Sequence, residues 1–134
     1  MAVVCQEKKY QRIRKFLHVF NTTDHDIRLG KDAMKIQFIG VGSAFTLTNY
    51  QSNLLVISDS GKKLLVDCGS DARFALQELG VTHRDIDSLY ISHLHADHVG
   101  GLEWLGFATK FDPQCPNPHL YISRYLKNEL WHNV

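Results

Sequence analysis

Two hydrophobic rhythms alternate along the chain. Short apolar or period-two runs occur at KIQFIGV from Lys35, NLLVIS at 53–58, KLLVD at 63–67, SLYIS at 88–92 and LYIS at 120–123. Between them lie stretches with helical spacing or with turn residues, which is the pattern of strands interleaved with helices. Asp59-Ser60-Gly61 predicts a hairpin turn between the second and third runs. Ser70 or Asp71 predicts the cap of a helix through Leu79, with Phe74, Ala75 and Leu79 facing inward and Gly80 stopping it. Thr82, three residues before Asp85, reads as another short cap. Gly101 to Phe107 predicts a short helix broken before FDPQCPNP, and RYLKNELW opens a further one. The fold class is α/β.

The regular series begins at Met34. Before it, QEKKYQRIRKFLHVF at 6–20 sets Tyr10, Ile13, Phe16, Leu17 and Phe20 at helical spacing among Lys8, Lys9, Arg12, Arg14 and Lys15. Such a segment can bind lipid or nucleic acid, but a docked element with a solvated charged face is the plainer reading. The chain therefore divides into a basic N-terminal extension, 1–33, with a helical pattern, and a domain portion, 34–134. Strands and helices alternate to the last residues without a closing element, so the expectation is half a domain, either a fragment or one completed by another copy.

Composition narrows the function classes. Apolar residues make up 44% and charged residues 22%, which fits a globular chain. A net charge of +1 gives no global field to draw in a polyanion. Cys5, Cys68 and Cys115 have no spacing suited to a zinc knuckle or a disulfide framework, and are expected as reduced thiols in the cytoplasm. No run approaches the ~18 apolar residues of a membrane span.

The candidate chemistry sits in ISHLHADHVGG, 91–101, where His93, His95, Asp97 and His98 fall within six positions. His93 and His95 lie two apart in an extended continuation of a strand, so both imidazoles are placed on one side. Asp97 and His98 follow as the chain turns towards Gly100 and Gly101. Imidazole with carboxylate suits zinc, with manganese or iron as alternatives. Two cations about 3.5–4 Å apart can share a bridging hydroxide that attacks an ester. A metal with a purely structural role is the blander reading.

His93-Leu94-His95-Ala96-Asp97-His98 resembles the HxHxDH signature of the metallo-β-lactamase superfamily. Leu64-Leu65-Val66-Asp67-Cys68-Gly69 resembles its strand ending in Asp and Gly, and Gly100-Gly101-Leu102 extends the match. The resemblance implies an αββα sandwich of which only the N-terminal half is present. It implies two divalent metals, most readily zinc, with manganese as the alternative. His93 and His95 would hold the first, Asp97 and His98 the second. Asp97 and Asp67 would serve catalysis, Asp67 by orienting the site. The family draws two more histidines and a bridging aspartate from later strands. Only His119 and His132 follow here, neither well placed, and no aspartate follows Asp112.

Gly40-Val41-Gly42-Ser43-Ala44-Phe45-Thr46, with Asn49-Tyr50-Gln51-Ser52-Asn53, is a glycine-bent loop without the lysine of a Walker motif. It resembles the phosphodiesterase branch of the superfamily, which holds tRNA 3′-processing endonucleases and phage anti-immune cyclic nucleotide phosphodiesterases. Asp67-Cys68-Gly69-Ser70-Asp71 lacks the Glu-Gly-Thr that follows in the tRNA enzymes. The resemblance implies a binuclear, metal-dependent hydrolase of cyclic nucleotides, acting through a bridging hydroxide. It also implies a homodimer, with Ser43, Thr46 and Asn49 touching a small phosphodiester substrate. An RNA 3′-end endonuclease, a carboxylic or thioester hydrolase, and an inactive metal-binding partial domain are the rivals. Trp104 and Phe107 read as core residues.

Overall fold

The computed structural model describes residues 34–133; the basic extension and Cys5 lie outside them. Five strands form one sheet in chain order: β1 (Lys35–Gly40), β2 (Asn53–Ile57), β3 (Lys63–Val66), β4 (Ser88–Ile91) and β5 (His119–Ile122). The first three strands form an antiparallel meander, with a short turn that can only reverse the chain between β2 and β3 and a longer loop between β1 and β2. Gly61, at φ +80°, closes the hairpin, and Ser58 N–H donates to Lys62 O at 2.9 Å. β3, β4 and β5 are parallel, since each link between them is long enough to carry helices.

Helix α1 (Ala72–Glu78), a 3-10 turn (His83–Asp85), the short α2 (Ala96–Val99), α3 (Leu102–Lys110) and α4 (Arg124–Asn133) complete the order. The strand register sorts side chains into two faces. Leu55, Leu65, Leu89 and Ile91 point to the helices and are buried with Ala72, Ala75, Leu76, Ile86, Val99 and Leu105. The opposite face carries the rows Ile36, Val56, Leu64, Ser88, His119 and Phe38, Leu54, Val66, Tyr90, Tyr121. Ile36, Tyr90 and Tyr121 on this face stay 58, 44 and 56% exposed. A mixed sheet flanked by helices matches a partial αββα sandwich, the fold class expected.

Some local expectations need correction. Phe74 is exposed, and Leu76 takes the inward position beside Ala72 and Ala75. Asp71 precedes α1 but makes no side-chain cap. Its carboxylate instead accepts the Gln51 N–H, at 3.1 and 3.3 Å. α3 runs on past Phe107 to Lys110, because no breaker intervenes before Asp112-Pro113. Trp104 packs against the core, whereas Phe107 is half exposed and stacks on Phe111 with ring centroids 5.9 Å apart. Thr82 does begin the 3-10 turn, and the Asp85 carboxylate accepts both its N–H and its hydroxyl, at 2.8 and 2.7 Å.

Candidate functional site

Parallel pairing of β3 with β4 brings their C-terminal ends together, Val66 beside Tyr90. Asp67 follows with φ +61°, a backbone region rarely used by a residue with a side chain. Three donors reward that conformation. Ser92 N–H reaches Oδ1 at 2.8 Å, while Ser92 Oγ and His98 Nδ1 reach Oδ2 at 2.8 and 2.7 Å. The carboxylate is buried, and its bonds join the end of β3 to the histidine cluster.

The strap after Asp67 is tied to the same cluster. Cys68 N–H donates to His98 O at 2.7 Å, and Gly101 N–H donates to Cys68 O at 2.8 Å. Contact is so close that a Cβ on Gly101 would lie 2.4 Å from Gly69 O, and one on Gly69 would lie 2.3 Å from Asp97 O. Glycine is needed at both positions for lack of space. Burial, reinforced by the Asp67 charge, pushes the Cys68 thiol up to about 12, which keeps it neutral.

The loop from Gly40 to Ser52 is anchored beside this strap. Gly42 N–H donates to Tyr50 O at 2.7 Å, and Ser52 Oγ donates to Gly42 O at 3.0 Å. Buried Asn53 accepts the Gly69 N–H at 2.9 Å and donates to Gln51 O at 2.9 Å. Ser70 Oγ donates to Gln51 Oε1 at 3.1 Å. Tyr50 donates to Glu78 Oε1 at 2.5 Å; burial first, then that carboxylate, raises its hydroxyl pKa. Ser43 and Asn49 are exposed and Thr46 half buried; Thr46 Oγ1 accepts the Asn49 N–H at 3.3 Å.

The structure brings His93, His95 and His98 together. The His93 ring lies 4.7 Å from His95, edge-on, and 4.0 Å from His98, tilted. Proximity is not convergence, however. His98 is held between two carboxylates, Asp67 at Nδ1 and Asp97 at Nε2, the latter 3.3 Å away. The rings pack against one another, and among the described residues no group of three or more His, Cys, Asp or Glu side chains is arranged to hold a metal ion.

Three linked expectations are corrected on that ground: the two divalent ions, zinc or manganese; the binuclear metal-dependent hydrolase; and cyclic nucleotide hydrolysis through a bridging hydroxide. The described residues do not fit a two-metal centre. Later side chains do not make up the shortfall. His119 pairs with Ser88, at the opposite end of β4 from the cluster, and His132 is exposed on α4.

Two polar residues central to this geometry are not singled out by the sequence pattern. Ser92 reads as the last residue of a strand, and Asn53 as the first. Both act across strands, so only the pairing of β3 with β4 and of β2 with β3 reveals them. The one available signal for Ser92 was its place after a parallel strand whose neighbour ends in Asp67.

Comparison with known proteins gives consistent likenesses. A family model described as "Anti-Pycsar protein Apyc1" matches residues 34–134. An anti-Pycsar protein Apyc1 from Saccharibacillus brassicae is 43% identical over 101 residues, 75% of this chain and 41% of that protein. The chain thus spans about two fifths of the length of that relative. Among solved structures, the metallo-beta-lactamase fold protein YhfI from Bacillus subtilis is 27% identical with a TM-score of 0.61, over 75% of this chain and 41% of its own. Human tRNase Z, short form, is 25% identical with a TM-score of 0.60, over 75% and 38%. These neighbours support the superfamily fold, and no particular branch of it.

Proposed function

We infer the function from a premise: the chain belongs to the anti-Pycsar protein Apyc1 family. We propose that, by itself, it is a non-catalytic partial domain of that family, a component of an anti-Pycsar protein and not a self-sufficient hydrolase. The observation that carries this reading is the cluster at the end of β4, where His98 is held between two carboxylates and no metal-holding group is assembled among the described residues. The apolar face of the sheet supports it, because Ile36, Tyr90 and Tyr121 on it are exposed where a sandwich would place its second sheet. The glycine-bent loop from Gly40 supports placing the family in the phosphodiesterase branch as a matter of descent. Within the completed protein, we assign Asp67 an orienting role, and Ser43, Thr46 and Asn49 the polar contacts of that loop.

The test is an assay of the purified 134-residue chain. Its substrates are cyclic mononucleotides, an aryl phosphodiester, structured RNA, a carboxylic ester and a thioester, each with and without added zinc or manganese. No turnover above a chain-free blank is expected. Turnover that Asp97→Ala abolishes would overturn the proposal.

A further inference from the structure

Helix α3 turns Leu105 and Thr109 into the core and leaves Glu103, Gly106, Phe107 and Lys110 on the outside. Residues three and four apart share one side of a helix, so Glu103, Gly106 and Lys110 form a single seam, with Phe107 beside it. Gly106, at the middle of that seam, has no purpose inside the chain. Its φ is not positive, and among the described residues a Cβ there would meet nothing within 4 Å. Glycine inside a helix is destabilising relative to alanine. What it supplies is a low point at which a second helix can lie close.

The flanks of the seam point the same way. Phe107 and Phe111 are 51 and 73% exposed and stack with their planes 22° apart. Glu103 stands one turn before the glycine and Lys110 one turn after it, too far apart to pair with each other. Neither forms an ion pair with another described residue.

We propose that the outer face of α3 is a homotypic interface, on which α3 of a second copy lies antiparallel across a two-fold axis at Gly106. That axis sets each Glu103 against the partner's Lys110, so two ion pairs form by symmetry. The glycines meet at the crossing, and the Phe107 and Phe111 rings of both copies close over one side of the seam. A parallel pairing would set like charges against each other, so the charge pattern selects the antiparallel one. The face is built from the helical layer and is separate from the apolar rows on the far side of the sheet. It stands apart from the question of turnover.

Sedimentation equilibrium on the full 134-residue chain tests the interface. The unsubstituted chain should form dimers. Glu103→Lys and Lys110→Glu, each alone, should raise the dimer dissociation constant about tenfold, since each turns two attractions into repulsions. Both reversals in one chain should restore the dimer. Mixing the two singly reversed chains should restore it as well, because each then complements the other. Both reversals oppose the helix dipole, so neither rescue can come from a better helix. Gly106→Leu, at a position open within the chain, should leave the circular dichroism unchanged and abolish the dimer. Carrying Tyr90→Glu and Tyr121→Glu in every chain removes association through the sheet and should leave these outcomes as they are. A chain that is monomeric at every concentration overturns the proposal and leaves the face to an unrelated partner. So do single reversals without effect, or a double reversal no better than the single ones. Should one reversed chain fail to fold, the other decides, since either alone carries the prediction.

Discussion

Asp67 shows how a single residue can hold a site together. Its left-handed backbone is strained for an aspartate, and three donors converge on its carboxylate. Asp67→Ala would leave two Ser92 donors and the His98 ring without their acceptor. The expected loss is about 3 kcal/mol of folding stability, since unsatisfied donors away from water cost about 1–3 kcal/mol each and neighbouring water recovers part. Urea unfolding followed by tryptophan fluorescence measures it; a midpoint unchanged from the parent chain would show the hub to be dispensable. The cluster itself was legible as HxHxDH, because its members are sequence neighbours. How its rings face one another was not legible. That depends on Asp67 and Ser92, which meet His98 and His93 only after β3 and β4 have paired.

Among the elements, strand existence was easy to read and helix faces less so. All five strands follow the apolar runs, since period-two patterning and turn residues are local signals. Phe74 was assigned inward on hydrophobicity, yet Ala72, Ala75 and Leu76 fill the narrow space under the sheet and leave the larger ring outside. The 3-10 turn and the segment after α3 are joined by charge. Asp112 accepts from Arg84 and from His83, the latter at 2.9 Å. The Arg84 hydrogen bond, then that of His83, holds the Asp112 carboxyl down at about 2 against an ordinary 3.8. A lowered folded-state pKa gives stability that is fully present above the ordinary value and is lost as pH falls through the folded one. Acid titration of stability should therefore show part of its loss between 3.8 and about 2, and Asp112→Asn should remove that part. The exposure of Arg84 keeps the effect small. Matching acid limbs in the two proteins would rule this link out as a contributor.

Among the described residues, the main physical fact at the scale of the molecule is the apolar face of the sheet opposite the core. Its two cross-strand rows contain no Asp, Glu, Lys or Arg, and eight of their ten members are aliphatic or aromatic. A contiguous apolar patch of that kind marks a surface built to be covered. The chain alone should associate as its concentration rises, and sedimentation velocity should show the average mass increasing. Replacing Tyr90 and Tyr121 by Glu should suppress that association, at a folding cost near the ±0.5 kcal/mol of ordinary surface changes. A monomer at every concentration would count against it. Homodimerisation, implied by resemblance, is read out by the same measurement. No helix among the described residues is long and apolar enough to cross a membrane. The half-sandwich was legible because its strands and helices alternate so regularly, whereas the two apolar rows emerged only from the register.

The mixed sheet also orders events in time. β1, β2 and β3 pair through links shorter than those that lead to β4 and β5, so their meander closes at lower entropic cost and can form early. β4 and β5 join only after α1, the 3-10 turn and α3 have folded back, and such distant pairings slow a chain's refolding. The imidazoles hang from the late side of that divide, and the aspartate that fixes them hangs from the early side. Their union is thus a kinetic marker for the final docking of the sheet, and truncated or stalled chains would display the meander without it.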